Sequence, residues 1–405
     1  LRMLAPMQLS EITDWLRETD EARLAELWRR ADQARQEGVG RAVYLRGLIE
    51  LSNHCVRLCA YCGLRAENRG LPRYRMSQEE VLGCVRRAVE FGYGTVVLQS
   101  GEDPGITADW MAELVRQIKA LTPALTPCPS PKGRGESVPL AVTLSLGERN
   151  EDELALWRRS GADRYLLRFE TSNRGLYERI HPPRPGQTSD RIALLGTLRR
   201  LGYEVGSGVM IGIPGQTYDD LARDIELFRT LDLDMIGVGP YLAHPGTPLG
   251  AGEGLGIGDW GLGTGRQGDK ETRRKGDRVL PIQNPKSKIQ NLVDQVPATE
   301  LMTYKVIALS RLACPRANLP STTALATLNI RRGRELGLAR GANVIMPNLT
   351  PPKYRVHYEI YPNKACLLET DGQCRVCVAA RVESLGRTVG SGRGDSPRYI
   401  DVHND

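Results

Sequence analysis

Three cysteines, Cys55, Cys59 and Cys62, are crowded into one short stretch with the spacing Cys-x3-Cys-x2-Cys. One disulfide cannot use all three, and a tetrahedral zinc site takes four ligands. Three thiolates on one loop can hold three irons of a [4Fe-4S] cluster and leave the fourth iron open to a small molecule. The spacing therefore predicts an iron–sulfur centre with an open position, and a loose metal loop or chance clustering is the alternative.

This spacing resembles that of the radical S-adenosylmethionine (SAM) enzymes, as does an aromatic residue, Tyr61, before the third cysteine. The resemblance implies that SAM binds the open iron and is cleaved reductively to methionine and a 5′-deoxyadenosyl radical. The cofactors supply this chemistry, while the protein positions them and excludes water. The three cysteines are therefore expected to be both metal ligands and catalytic residues.

Other residues could hold the amino, carboxylate, ribose and adenine groups of SAM. The small residues Ser100 and Gly101 would let the backbone of their loop come close to SAM. The carboxylate of Glu102 suits the ammonium group of SAM. Glu170 could bind ribose hydroxyls or an ammonium, and Arg191 a carboxylate. The glycine-rich stretch 206–217 could pass close to the adenine, although tight packing explains it equally well. The predicted SAM-binding residues are Tyr61, Gln99, Ser100, Gly101, Glu102, Glu170, Arg191 and Met210.

Arg164 and Arg168 share one face of a predicted strand with Leu166 and Glu170. If that face lines an internal cavity, two guanidinium groups could bind carboxylates by two-point contacts. An ordinary network of interior ion pairs is the alternative.

Strand-like and helical segments alternate along most of the chain, which favours a parallel α/β sheet. Eight such units predict a complete (β/α)8 barrel of the TIM type, with the cysteine loop after the first strand, where such barrels place their chemistry. A six-stranded partial barrel with an accessory domain is the alternative. The predicted strands are 41–52, 94–99, 139–146, 163–169, 204–213, 234–239, 319–324 and 342–346, and the predicted helices are 8–36, 77–91, 107–121, 150–160, 188–202, 217–230, 298–313 and 331–339. Ser77 and Glu80, three positions apart, predict a capping box at the start of the helix 77–91.

The predicted domains are an N-terminal helical segment (1–40), the barrel (41–350) and a C-terminal extension (351–405). Two stretches, about 122–137 and 250–294, lack apolar periodicity and are predicted to be flexible insertions in surface loops. A partner-binding role for them is the alternative.

Composition narrows the classes of function. No apolar run reaches about 18 residues, so no membrane span is expected. The net charge of +7 is modest, and basic and aromatic residues are not interleaved as they are in nucleic-acid binding proteins. Six of the nine cysteines fall in two tight sets, which suits a reducing cytoplasm. The second set, Cys366, Cys374 and Cys377, predicts another cluster, [2Fe-2S] or [4Fe-4S], with an incidental set as the alternative.

Longer stretches are similar to the HydE family, the radical SAM maturases of [FeFe]-hydrogenase. The resemblance covers most of residues 40–380 apart from the two insertions. The stretches that carry it are Cys59-Ala60-Tyr61-Cys62-Gly63-Leu64-Arg65, Val97-Leu98-Gln99-Ser100-Gly101-Glu102-Asp103-Pro104, Arg168-Phe169-Glu170-Thr171, Gly202-Tyr203-Glu204-Val205-Gly206-Ser207-Gly208, Gly239-Pro240-Tyr241-Leu242-Ala243-His244-Pro245, Gly341-Ala342-Asn343-Val344-Ile345-Met346-Pro347-Asn348 and Tyr358-Glu359-Ile360-Tyr361-Pro362-Asn363-Lys364.

The resemblance implies a small sulfur- or iron-containing substrate, such as a cysteine-bound Fe(CO)2CN precursor. It also implies an electron donor protein and two partner maturases, a radical SAM tyrosine lyase and a GTPase scaffold. By position, Arg164, Arg168, Thr322 and Thr323 match anion-binding residues of the family cavity, and Tyr358 and Tyr361 match aromatic residues nearby.

Two departures from the family pattern matter. Phe169 stands where the family often has histidine, so acid–base chemistry is not expected there. The C-terminal cysteine set occurs in some members only and is dispensable in them.

Rival functions are a biotin synthase-like or a methylornithine synthase-like radical SAM enzyme, from the same branch. A rival of another class is a non-enzymatic iron–sulfur scaffold or carrier.

Overall fold

The structure, a computed structural model, describes residues 7–121, 139–252, 294–365, 367 and 371–404. The predicted insertions therefore lie outside the described residues, apart from 250–252 and 294. Cys366 also lies outside them, as does the side chain of Cys374. Among the helices of the described part, none combines the length and apolar character needed to cross a bilayer.

Short parallel strands form the centre of the fold. The strands are β1 (Ala42–Ser52), β2 (Thr95–Ser100), β3 (Ala141–Ser145), β4 (Arg164–Leu166), β5 (Glu204–Ser207), β6 (Met210–Ile211), β7 (Met235–Ile236), β8 (Gly239–Pro240), β9 (Val344–Ile345) and β10 (Thr388–Val389). Helices surround the strands, and their buried apolar side chains form one hydrophobic core with those of the strands. The helices are α1 (Leu9–Arg17), α2 (Glu21–Val39), α3 (Gln78–Glu90), α4 (Ala108–Leu121), α5 (Glu151–Arg159), α6 (Arg174–Ile180), α7 (Arg191–Arg200), α8 (Tyr218–Thr230), α9 (Glu300–Ala313), α10 (Thr323–Leu328), α11 (Gly333–Ala339), α12 (Pro352–Arg355), α13 (Asp371–Glu383) and α14 (Pro397–Asn404).

The strands join into a ring. Parallel pairing runs in the order β1-β2-β3-β4-β5-β7. Two isolated parallel bridges continue it, from Met235 to Asn318 and from Pro320 to Val344, and β9 pairs in parallel with β1. The eighth member of the ring thus meets the first, which confirms the predicted (β/α)8 class.

The predicted strands 204–213 and 234–239 are each two short strands, β5 with β6 and β7 with β8. The predicted elements at 319–324 and 8–36 were also wrong in detail. Residues 319–324 form no continuous strand, because that segment makes only single bridges and the chain enters α10 at Thr323. The helix predicted at 8–36 is two helices, since the chain is extended at Asp20, whose side chain accepts a hydrogen bond from the Arg23 amide and caps α2. The predicted capping box of Ser77 and Glu80 is present at the start of α3.

A segment from the C-terminal extension closes the amino-terminal end of the barrel. We call residues 388–396 the C-terminal strap. Its strand β10 pairs in parallel with the first residues of β1. The carbonyl of Arg393 accepts a hydrogen bond from Thr95 Oγ1 (2.7 Å), and that of Gly394 accepts one from Arg46 Nη2 (3.0 Å). The opposite, carboxyl-terminal end of the barrel is therefore the end that carries the site.

Candidate active site

A cavity of about 350 Å³ lies inside the barrel and reaches the carboxyl ends of its strands. Most of the residues selected from the sequence meet on its wall, although they come from all parts of the chain. Those on the wall are Cys55, Cys59, Tyr61, Cys62, Gln99, Ser100, Gly101, Glu102, Arg168, Glu170, Arg191, Met210, Thr322, Thr323, Tyr358 and Tyr361.

Backbone hydrogen bonds from three separate elements hold the cysteine loop. The Val56 amide donates to the carbonyl of Glu102 (3.0 Å), the Ala60 amide to that of Ile180 (2.8 Å), and the Gly63 amide to that of Ile360 (3.1 Å). Because these carbonyls belong to the loop after β2, to the last residue of α6 and to the segment after α12, the barrel itself fixes the loop.

Two glycines permit the close packing around Glu102. A Cβ on Gly101 would lie 2.3 Å from the carbonyl oxygen of His54 and 2.8 Å from Cys55 Cβ, in the cysteine loop. Gly147 has φ +76°, and a Cβ there would lie 1.9 Å from Glu102 Cγ. Any larger residue would therefore displace either the cysteine loop or the Glu102 side chain.

The three thiols of the loop suit a positively charged metal centre. Burial raises the pKa of Cys55 and that of Cys59, and raises the pKa of Cys62 to about 12. The charges of the neighbouring thiolates add to the shift for Cys59 and Cys62. Iron ions would offset both effects, since metal binding deprotonates a coordinating thiol. The donor set thus fits the three protein ligands of a [4Fe-4S] cluster with one open iron.

Four charged side chains, of which Arg57, Glu102 and Arg191 are buried and Glu148 is partly buried, form a lattice beside this loop. Arg57 pairs with Glu102 and with Glu148 (2.9 Å). Arg191 pairs with Glu148 (2.9 Å) and with Glu102 (3.4 Å). Burial opposes ionisation of Glu148, but Arg191, Ser189 and Arg57 outweigh it and lower the pKa of that carboxyl. Glu102 and Arg191, which are two of the eight predicted SAM-binding residues, are therefore already paired with each other.

His181 touches this lattice and was not selected from the sequence. Its Nε2 lies 2.5 Å from Arg191 Nη2. Burial and the charges of Arg191 and Arg57 lower its pKa to about 2, so the ring is neutral. Arginine is always a donor, so Nε2 accepts and Nδ1 carries the proton. That buried Nδ1 has no hydrogen-bond partner, which leaves a donor available to a ligand.

Glu102, Glu148 and His181 form a group whose ligand atoms lie within 4.8 Å of one another in the described part of the chain. Arg57 and Arg191 contact both carboxylates. The group is therefore an ion-pair lattice rather than a cation site. Arg57, Glu148 and His181 were missed because neither spacing nor pattern marks them, although a charged residue inside the cysteine loop was a usable signal for Arg57.

Glu170 occupies a strained position in the segment after β4. Its φ of 64° places a non-glycine residue in the left-handed region. Its carboxylate faces Arg168 Nη2 (3.0 Å) and accepts a long hydrogen bond from the Tyr61 hydroxyl (3.4 Å). Arg168 Nε is buried without a partner. This pair therefore retains polar capacity toward the cavity.

The far wall is more apolar. Thr322 caps α10 through its side-chain oxygen, which accepts from the Leu325 amide (3.4 Å), and its hydroxyl proton is still available. Tyr358 and Tyr361 face the cavity as large aromatic surfaces. His244 packs against the cysteine loop, since a Cβ on Gly63 would lie 2.6 Å from its Nε2.

Arg164 does not join this group and requires a correction. It is fully buried at the amino-terminal start of β4, where it pairs with Glu204 (2.6 Å) and with Asp395 of the strap. Its other contacts are Thr95 Oγ1 (2.8 Å) and the Arg393 carbonyl (3.0 Å). The alternation of side chains along a strand placed Arg164 on the same face as Arg168. Arg164, however, is the first residue of β4, whereas Arg168 lies beyond the other end of that strand. Arg164 holds the barrel floor and does not line the cavity.

The second cysteine set is only partly described. Cys377 is exposed on α13 and its Sγ accepts a hydrogen bond from Arg381 Nε (3.2 Å). Cys366 and the side chain of Cys374 lie outside the described residues.

Comparison with known proteins places the chain in a family. The profile of the Radical SAM superfamily matches residues 49–228. The [FeFe] hydrogenase maturase subunit HydE of Thermotoga maritima is 39% identical over 376 residues, which cover 93% of this chain and 90% of that protein. The chain belongs to the HydE family of radical SAM enzymes. The family relation brings a [4Fe-4S] cluster and SAM as cofactors.

More distant relatives share part of the HydE family sequence or its fold. The 3-methylornithine synthase of Methanosarcina acetivorans is 27% identical over 56% of this chain and 60% of its own length. The crystal structure of methylornithine synthase (PylB) has a TM-score of 0.70 at 22% identity, covering 98% of this chain and 96% of that one. The crystal structure of the maturase HydG has a TM-score of 0.60 at 19% identity, covering 86% and 65%. These structures share the barrel.

Proposed function

We propose that this protein cleaves SAM reductively and acts in maturation of the diiron active-site cluster of [FeFe]-hydrogenase. The observation that carries the proposal is the meeting of the three loop cysteines and a charged lattice on the wall of one barrel cavity, in a chain related to HydE over nearly its whole length.

When bound, the cluster supplies one electron to SAM, whose C5′–S bond breaks to give methionine and a 5′-deoxyadenosyl radical. The residues of the chain bind and orient the cluster and SAM. Cys55, Cys59 and Cys62 hold the cluster. The backbone of Ser100 and Gly101, with the Glu102–Arg191 lattice, receives the methionine end of SAM. Glu170, Tyr61, Gln99 and Met210 surround the nucleoside, and the closed wall excludes water.

The rest of the cavity would hold a small sulfur- or iron-containing substrate. Arg168 Nε is buried without a partner and suits an anionic group. Thr322 and Thr323 line the same cavity as Arg168 and offer hydroxyl groups to the substrate, while Tyr358 and Tyr361 offer it apolar surface. A cysteine-bound Fe(CO)2CN precursor, as the family relation suggests, combines these requirements.

Function in maturation requires partners. We propose an electron donor protein for the cluster, together with a radical SAM tyrosine lyase and a GTPase scaffold as fellow maturases. None of the six cysteines whose side chains the structure describes forms a disulfide, which suits a reducing compartment such as the cytoplasm.

The test is anaerobic reconstitution with iron analysis, EPR with and without SAM, and assay of 5′-deoxyadenosine. Cys55→Ala, Cys59→Ala and Cys62→Ala should each abolish SAM cleavage, because each removes an iron ligand. Cys84→Ala, which removes a buried thiol from α3, should retain it. Release of 5′-deoxyadenosine by a loop variant would overturn the proposal.

The same preparation separates the rivals. Restoration of hydrogenase activity in a system with both partner maturases supports the proposed role. Turnover of dethiobiotin or lysine without such restoration would favour a biotin synthase-like or methylornithine synthase-like enzyme. An EPR signal that ignores added SAM would indicate a scaffold or carrier.

We also propose that Cys366, Cys374 and Cys377 hold a second iron–sulfur cluster, [2Fe-2S] or [4Fe-4S], that SAM cleavage does not need. Converting all three to alanine should lower the iron content while leaving 5′-deoxyadenosine release per first cluster unchanged. Unchanged iron content would show that the set is empty, and lost SAM cleavage would show that the second cluster is required.

A further inference from the structure

A buried pair of opposite charges lies on the cavity wall, formed by β1 and the segment after α12. Lys364 Nζ contacts Glu50 Oε1, and their side chains are only 4% and 1% exposed. Both residues line the cavity. Neither has a part in holding the cluster or in the lattice beside it.

Both members of the pair keep hydrogen-bonding capacity. The Lys364 ammonium has three donors, which in the structure meet Glu50 and, at 3.5 Å, the Tyr358 carbonyl. Its Nζ also lies 5.0 Å above the centre of the Tyr358 ring. The Glu50 carboxylate accepts from Asn348 Nδ2 (2.9 Å) and from Lys364, and each of its oxygens can accept more than one hydrogen bond.

Structural stability alone is a weak reason for such a pair. Removing two charges from water costs several kcal/mol per ion, and well-packed apolar residues of similar volume are often as stable. A pair on the wall of a cavity differs from one inside a packed core, because a ligand can reach both charges.

We propose that Glu50 and Lys364 bind the α-amino-acid end of the substrate that accompanies SAM. The ligand's ammonium would face Glu50 and its carboxylate would face Lys364. A lone anion or cation would be attracted by one member and repelled by the other at similar distance, so the pair favours a zwitterion. The inference rests on the proposed function, because it assigns the amino-acid end of SAM itself to the Glu102–Arg191 lattice.

The aromatic surroundings agree with this ligand class. Tyr358 and Tyr361 line the cavity together with the pair, so an apolar or sulfur-bearing side chain could extend from the charged end across their rings. The ligand would then occupy the β1 wall, while Ser100, Gly101 and Glu102, at the end of β2, receive SAM.

The test is calorimetry on the reconstituted, full-length holoenzyme, saturated with SAM and kept free of reductant so that nothing is cleaved. The probes are S-methyl-L-cysteine, 2-(methylthio)ethylamine, which lacks the carboxylate, and 3-(methylthio)propanoate, which lacks the amine. The wild type should bind the complete amino acid at least about tenfold more tightly than either truncated probe, since each lost charge-assisted contact costs that much or more.

Two variants separate the two ends of the ligand. Lys364→Met should bind the amino acid and the amine-only probe equally, and Glu50→Gln should bind the amino acid and the acid-only probe equally. Lys353→Met, which removes an exposed lysine paired with Glu80, is the control and should bind all three probes like the wild type.

A further variant covers the case in which a single change prevents folding. The exchange Glu50→Lys with Lys364→Glu keeps the tie between β1 and the segment after α12 but inverts its polarity, and it should weaken amino-acid binding about tenfold. Wild-type binding by this variant, equal binding of all three probes to the wild type, or an equal loss of all probes in both single variants would each overturn the inference.

Failure of the inference can be distinguished from failure of the proposed function. Addition of reductant to the same preparation measures 5′-deoxyadenosine. SAM cleavage without discrimination among the probes would overturn only the zwitterion site. Discrimination without SAM cleavage would overturn only the proposed function.

Discussion

Asp224 is a buried acid that supports the turn carrying Glu170. One of its oxygens accepts hydrogen bonds from the amide and the hydroxyl of Ser172, both at 2.6 Å. Burial raises the pKa of this carboxyl to about 7; the bonds from Ser172 oppose the rise, and Asp220 adds to it. The left-handed conformation of Glu170 thus depends on a neighbour that becomes ionised near neutral pH.

This predicts a pH-dependent effect of Asp224→Asn. The folded carboxyl binds its proton more tightly than the unfolded one, so stability falls as pH rises from about 4 to about 7 and then levels off. Asparagine can still accept the bonds from Ser172 and has no charge to bury. The free energy of unfolding of the variant should therefore gain on that of the wild type by about 1–3 kcal/mol between pH 5 and pH 8.

Chemical denaturation at the two pH values measures this change. Asp219→Asn, at an exposed position of the same helix, is the control and should show no such gain. An unchanged difference between Asp224→Asn and the wild type at pH 5 and pH 8 would contradict the assignment.

Among the elements, the loop after β2 and the cysteine loop act as one unit. Gly101 allows their contact, since its hydrogen atoms face His54 and Cys55. Backbone hydrogen bonds from Val56 to Glu102 (3.0 Å) and from Gly101 to Ser52 (3.2 Å) join the same two segments. The cluster ligands and the SAM-binding backbone must therefore move together.

We expect Gly101→Ala to lower the iron content and SAM cleavage, because the added Cβ would lie 2.3 Å from a backbone oxygen that cannot yield cheaply. Gly83→Ala is the matched control. Gly83 lies within α3 with open space around it, so alanine there should raise the free energy of unfolding by about 0.5–1 kcal/mol. Normal iron incorporation by Gly101→Ala would show that the contact is not required.

Local signals were sufficient for many of these elements. Ser77 and Glu80 predicted the start of α3, because a capping box is formed by residues three positions apart. The cysteine spacing predicted the cluster loop for the same reason. Residues 319–324 were misassigned, because threonine is common both in strands and at helix N-caps, and here Thr322 caps α10. Arg57, Glu148 and His181 meet only because distant segments of the chain come together in the fold, so no local sequence pattern predicts their contacts.

At the scale of the whole molecule, the C-terminal strap forms part of the floor of the barrel, which lies at the amino-terminal ends of the strands. Arg164 and Arg168 illustrate the consequence. Alternation correctly put both on one face, but four residues span roughly 13 Å of an extended chain. Only Arg168 therefore reaches the cavity, while Arg164 meets Glu204 and Asp395 at the floor. Sequence periodicity gives the face of a strand residue and not its height within a barrel.

Arg164→Met should destabilise the fold by about 3–5 kcal/mol, because it leaves Glu204 buried without its cation. The double variant Arg164→Met with Glu204→Leu should recover most of that loss, since both charges are then absent. Denaturant unfolding measures both effects. SAM cleavage per folded molecule should be unchanged in the double variant. A raised KM for the substrate with normal stability would restore Arg164 as an anion-binding residue.

The strap also bears on how the chain can fold. Just before the strap, the Arg387 side chain reaches the carbonyl of Arg41 (3.5 Å), 346 positions earlier, and β10 of the strap pairs with the first residues of β1. Contacts this far apart in sequence slow folding, because a long chain must be closed before they form. During synthesis, β1 leaves the ribosome early yet cannot complete its pairing until the strap has been made. The floor of the barrel therefore cannot be completed before the strap has been made, and without the strap Arg46, Arg164 and Glu204 would lose contacts that it supplies.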